Sequence, residues 1–220
     1  LNPVNEALLA RAMNRLRAVS DRDALSADSD ILARRWLPID VDPVRPSGIS
    51  STNAEHEAAA GRIQEIREAL QDMGWPTPVA ADSGNGGHLL YRVDLPNDEA
   101  TRELLRRVLE ALAFRFDDAV VTLDQKVFNA ARIWKLYGTV ACKGDNTPSR
   151  PHRPSRLVSY PRRSLDATCL RPRTVRVTSR GRARAVLCAY VPHLSQLFPL
   201  RPIASPTNRV LRASRFRVRQ

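Results

Sequence analysis

In Trp36-Leu37-Pro38-Ile39-Asp40-Val41-Asp42-Pro43, apolar and acidic residues alternate from Ile39 to Asp42 with the period of a β-strand. In a strand, successive side chains point to opposite faces. Leu37, Ile39 and Val41 then enter a core, and Asp40 and Asp42 stand side by side on the other face. Two carboxylates on one face repel each other, and the stretch itself supplies no base to offset them. A divalent cation would, because hard cations such as Mg²⁺ take carboxylate oxygens. A surface strand with two solvated acids gives the same Asp-x-Asp pattern, so the surrounding chain must separate the two readings.

Upstream, Asn5 can cap a helix with Leu8, Leu9, Ala12, Met13, Leu16 and Val19 on one face, followed by a polar loop from Ser20 to Asp30. Downstream, Pro43, Pro46 and Gly48 break the strand into a turn. Thr52-Asn53-Ala54-Glu55 has the capping-box pattern, and Ala59, Ile63, Ile66, Leu70 and Met73 recur at helical spacing. Gly74 occupies the C′ position, and Pro76 prevents continuation. A short extended piece, Pro78–Asp82, leads into the glycine-rich turn Ser83-Gly84-Asn85-Gly86-Gly87-His88. The strand after it puts Leu89, Tyr91 and Val93 on one face and His88, Leu90 and Arg92 on the other. Asn97 can cap a helix carrying Leu104, Leu105, Val108 and Leu112, which ends at Asp117-Asp118. Ala119–Asp124 then reads as a strand that delivers a third acid at its end. This order predicts an α/β (α+β) sandwich with helices on one side of a mixed sheet.

Composition restricts the partners. The chain has 220 residues and a net charge of +12, but the charge is unevenly placed. Residues 161–220 hold 14 of the 35 basic residues, all arginine, and one acid, Asp166, so the preceding body is near neutral. Two segments follow: a body over 1–160 and an Arg/Pro-rich tail over 161–220, expected to be disordered. The tail fits either a DNA-binding arm or a shifted-frame translation of a GC-rich gene. No apolar run is long enough to span a bilayer, which argues against a membrane partner. Cys142, Cys169 and Cys188 show no paired spacing, as expected of a reducing, cytoplasmic setting. Leu1 is no initiator Met, and Leu1–Val4 reads as the end of a strand, so the chain is expected to begin inside a longer protein.

The three lysines, Lys126, Lys135 and Lys143, fall in one stretch beyond Asp124, together with Arg132, Arg150 and Arg153. A strand with solvated charges would also look like this. Clustering beside a cation site favours phosphate contact instead. Three acids at neighbouring strand positions suit two-metal catalysis, in which paired cations clamp the attacking and leaving oxygens of a phosphoryl displacement. A glycine-rich turn can bring backbone N–H groups close to phosphate.

Taken together, these motifs resemble the archaeo-eukaryotic primase superfamily, in particular the primase–polymerases of phages, plasmids and integrative elements. Asp40 and Asp42 resemble that family's Asp-x-Asp first motif. Ser83 to His88 resembles its second motif, and Asp124 its third, lone acid. Arg132-Ile133-Trp134-Lys135-Leu136-Tyr137-Gly138-Thr139 resembles the basic segment that closes with Gly-Thr. The resemblance covers about residues 1 to 159 and implies an RRM-like sheet joined to a preceding α/β unit, much of which would be missing here. It implies a DNA primase or polymerase in which Asp40, Asp42 and Asp124 hold two Mg²⁺ or Mn²⁺ ions and His88 joins them as a catalytic residue. Ser83, Gly86, His88, Arg132 and Lys135 would bind the nucleotide, and Lys143, Arg150 and Arg153 the nucleic acid. The implied partners are a single-stranded DNA template, nucleoside triphosphates and a replicative helicase. Two other readings stay open: an inactive nucleic-acid-binding remnant of such a domain, and a metal-dependent nuclease.

Overall fold

The structure, a computed structural model, describes residues 1–10 and 25–161. The tail beyond residue 161, and the continuation of the first helix through Ala12, Met13, Leu16 and Val19, lie outside the described residues. Of that first helix the structure gives a 3-10 turn, Glu6–Ala10, opened by Asn5, whose Oδ1 accepts from the Ala7 N–H at 3.0 Å.

Strand β1 runs Ala33–Pro43, helix α1 Asn53–Asp72, strands β2 and β3 Val79–Asp82 and Gly87–Pro96, helix α2 Glu99–Phe116, and strand β4 Val121–Leu123. Three short strands follow: β5 (Val140–Ala141), β6 (Arg153–Pro154) and β7 (Arg156–Ser159). The main sheet has the order β4-β1-β3-β2-β7, and each neighbouring pair is antiparallel. The expected mixed sheet is thus corrected to an antiparallel one. The physical reason is the connection pattern. A β-α-β-β-α-β chain sends each helical crossover past an intervening strand, and that strand runs the other way.

Alternation along β1 holds as read from the sequence. Leu37, Ile39 and Val41 are fully buried and pack with Leu89 and Tyr91 of β3. Against them lie Ala59, Ile63, Ile66 and Leu70 of α1 and Leu105, Val108, Leu109 and Leu112 of α2. Both helices therefore cover one face. Each fully buried aliphatic side chain contributes about 1.5–3 kcal/mol relative to exposure. Helix α1 starts at the capping box: Thr52 Oγ1 accepts from the Glu55 N–H, and a Glu55 oxygen accepts from the Thr52 N–H at 2.8 Å. It stops at Gly74, whose φ of +81° lies in the left-handed region.

Helix α2 departs from expectation at its cap. Asp98, not Asn97, accepts from the Thr101 N–H, at 2.7 Å. Asn97 is drawn into a half-buried network instead. It accepts from Arg34 Nε at 3.0 Å and donates to the Asp28 and Ile31 carbonyls, both at 2.8 Å. Arg34 is buried, and a long-range partner for its guanidinium outweighs the local choice between two adjacent cap-forming residues.

After β4 the chain forms no strand until Val140. It passes instead through turns that return toward the sheet face opposite the helices. Among the described residues, no helix is long and apolar enough to cross a membrane.

Candidate active site

The face of β1 that avoids the core carries Asp40 and Asp42. Register then determines their neighbours. Asp40 pairs with His88 across β3, and Asp42 pairs with Thr122 across β4. Just past the β4 ladder, the Asp124 N–H donates to the Asp40 carbonyl at 2.9 Å, so the third acid lies beside the first. Asp40, Asp42, Asp124 and His88, four residues from three parts of the sequence, therefore meet at one corner of the sheet.

The glycine turn is built to sit against this corner. A Cβ on Gly86 would collide with the Val41 carbonyl oxygen and stand 2.8 Å from Asp42 Oδ1, so only glycine fits opposite Asp42. Ser83 Oγ closes the turn by accepting from the Gly86 N–H at 2.9 Å. Asn85, which the sequence reading passed over, is buried and accepts from the Ser51 N–H at 2.8 Å, tying the turn to the start of α1. Asp82 anchors the other side. Burial opposes its ionisation, yet bonds from His56 (2.9 Å) and the Gly84 N–H (2.7 Å), with the charge of Arg156, hold its carboxyl below the usual value.

Each of the three acids faces a base. Asp40 Oδ1 lies 3.3 Å from His88 Nε2, Asp42 Oδ1 lies 3.4 Å from Arg45, and Asp124 Oδ2 lies 2.8 Å from Arg132. Arg45 arrives from the turn after β1, so the acids do not stand uncompensated, as the strand read alone implied. Asp124 Oδ1 also accepts from the Lys126 N–H at 2.8 Å. Carboxylate oxygens are the donors that Mg²⁺ and Mn²⁺ prefer, and the three side chains reach solvent, so the donor chemistry fits a hard cation. Among the described residues, however, no three His, Cys, Asp or Glu side chains are gathered as a ready cage. Each of the three pairs engages one carboxylate oxygen of its acid.

His88 is the most enclosed member. It is buried, its ring lies 4.5 Å from that of Trp134, and its Nδ1 is 2.9 Å from the Tyr137 hydroxyl. Trp134 Nε1 donates to the same hydroxyl at 2.9 Å. Burial, with the nearby charge of Asp40 adding to it, pushes the Tyr137 hydroxyl up to about 12. It therefore keeps its proton throughout the neutral range. Neither aromatic was singled out from the sequence. Tyr137 lies 49 residues from His88 along the chain and Trp134 close to Tyr137 in sequence, and neither contact follows a local period, so no sequence signal marks them.

The basic residues divide. Arg132 stands at the acids, and Lys135 is half-buried on the loop that holds Trp134 and Tyr137. Lys143 is exposed. Arg150 and Arg153 point inward. Arg150 grips both oxygens of Glu55, at 2.9 and 3.0 Å, and the Ser50 carbonyl. Arg153 donates to the Ser51 carbonyl at 2.8 Å and to Asn53 Oδ1 at 2.6 Å. Both guanidinium groups thus bracket the start of α1. The fork of a guanidinium suits this bracketing use as well as it suits phosphate.

No family model, curated protein or solved structure matches this chain.

Proposed function

We propose that this chain is the catalytic core of a primase–polymerase that carries out template-directed nucleotidyl transfer for a phage, plasmid or integrative element. The observation that supports this most is the meeting of Asp40, Asp42, Asp124 and His88 at one corner of the sheet, with side-chain-free Gly86 opposite Asp42. A fold alone would not carry the reading, because antiparallel sheets with two helices serve many functions.

In this reading a primer 3′-hydroxyl attacks the α-phosphate of an incoming nucleotide, and pyrophosphate leaves. Asp40, Asp42 and Asp124 would hold two Mg²⁺ or Mn²⁺ ions, which supply charge neutralisation at the attacking and leaving oxygens. The chain's own residues position the rest. His88 donates to the triphosphate, and the backbone and hydroxyl of the Ser83–Gly86 turn line its approach. Arg132, released from Asp124, and Lys135 offset phosphate charge, and Lys143 meets the template. Positioning and electrostatics carry most of the catalysis in such chemistry.

A second reading, a non-catalytic nucleic-acid-binding domain, is favoured by the pairing of each of the three acids with a base. Incubation with single-stranded DNA, labelled nucleotides and Mn²⁺ separates the readings. Primer synthesis or extension is the expected result. Template degradation would indicate a nuclease, and retention of DNA without either reaction a binding domain.

A further inference from the structure

We infer that Tyr137, itself held by Trp134, is a positioning residue that fixes the proton of neutral His88 on Nε2 and aims it at the carboxylate corner. An indole N–H can only donate. At 2.9 Å the Trp134 Nε1–H therefore makes the Tyr137 oxygen an acceptor. The Tyr137 proton is left for its other neighbour, His88 Nδ1, also at 2.9 Å. A neutral imidazole has one donor nitrogen and one acceptor. With Nδ1 accepting, the proton resides on Nε2, which lies 3.3 Å from Asp40 Oδ1.

The ring has little freedom to undo this. It is 5% exposed and packs at tilted angles against the rings of Trp134 and Tyr137, at 4.5 and 5.8 Å. One hydroxyl therefore does two things. It sets which imidazole nitrogen faces the acids, and it fastens the loop carrying Lys135 to the start of β3. For its ligand, a nucleoside triphosphate accepting from Nε2–H, the inference rests on the function proposed above. The geometry of the relay stands apart from that.

Long-range ¹H–¹⁵N spectra of the histidine rings test the relay directly, at an alkaline pH where imidazole is neutral and with His88→Gln to assign the signals. The wild-type chain should show His88 protonated at Nε2, with Nδ1 at the position of a hydrogen-bonded acceptor. Tyr137→Phe keeps the ring and removes the hydroxyl. It should move Nδ1 to the position of an unbonded imine nitrogen while the melting temperature stays within a few degrees. Trp134→Phe frees the Tyr137 oxygen to accept, so a second, Nδ1-protonated form of His88 should appear. A purely structural role for either aromatic would produce neither signature. The inference is overturned if wild-type His88 carries its proton on Nδ1, or if Tyr137→Phe leaves the Nδ1 signal in place. Titration with a nucleoside triphosphate and Mg²⁺ is the separate arm, with Tyr137→Phe expected to weaken binding by about three- to tenfold. If the tautomer results hold but wild-type His88 does not respond to triphosphate, the relay stands and the nucleotidyl-transfer reading fails.

Discussion

The two faces of strand β1 share one backbone and little else. On one, Leu37, Ile39 and Val41 are sealed under two helices. On the other, separated from them by a single residue step, Asp40 and Asp42 reach solvent and face His88 and Arg45. The apolar face gains its stability from area removed from water, a term that does not depend on which aliphatic residue meets which. The acidic face gains little. Its pairs are partly exposed, and such pairs contribute about 0–1 kcal/mol each. One face holds the fold together, and the other keeps three carboxylates and an imidazole in register at small net benefit to stability. A group of charges maintained without a stability return is where chemistry is to be sought.

Substitutions at neighbouring positions can break this contrast. Ile39→Ala should be the most damaging, costing about 2–5 kcal/mol because the site is fully buried between sheet and helices. Chemical denaturation measures it, and a loss below 1 kcal/mol would show that the core does not close over this strand. Gly86→Ala comes next, at about 1–3 kcal/mol, since the added methyl meets the Val41 carbonyl and must displace backbone. Its effect should extend to the function, because the same methyl crowds Asp42. Arg150→Ala should cost about 1 kcal/mol through loss of the Glu55 grip on a partly exposed pair. If it instead leaves stability unchanged and weakens DNA binding, the inward assignment of this arginine is wrong. Asp42→Asn should have the smallest effect, within about 1 kcal/mol in either direction.

Acid titration sharpens the same contrast from the polar side. Asp82 and Glu55 are both held below their usual values of 3.8 and 4.5. For each, burial works against ionisation and is outweighed by bonds from His56 and Gly84 to Asp82, and from Arg150 and Thr52 to Glu55. The unfolded chain binds these protons more readily, so stability from both groups is fully present above their ordinary values and is lost as the pH falls through the depressed ones. Urea midpoints followed down through pH 4.5 to below 3.8 should decline. Asp82→Asn should make that decline shallower.

How much was readable beforehand depended on distance along the chain. The two-residue alternation of Leu37, Ile39 and Val41 and the capping box at Thr52 and Glu55 are local, and the structure reproduces both. The place of Gly74 after α1 was equally plain. Strand β7 was not foreseen. Leu157 and Val158 are exposed, so no alternation marks them, and their strand is defined by a ladder to β2 more than seventy residues earlier. The side-by-side acids Asp40 and Asp42 could be inferred from period alone, whereas Arg45, His88 and Arg132 as their partners required the turn, the β3 register and the loop. Arg150 and Arg153 show the limit of charge as a guide. An arginine that brackets a helix start and one that meets phosphate have the same letter in the sequence, and only tertiary placement separates them.

The central claim, that the carboxylate corner performs nucleotidyl transfer, is tested most directly by Mn²⁺-dependent incorporation of labelled nucleotide on a single-stranded DNA template, comparing the wild-type chain with Asp42→Asn. The wild type should incorporate nucleotide and the variant should not, while its stability stays within about 1 kcal/mol of the parent. Incorporation by Asp42→Asn at the wild-type rate would contradict the claim.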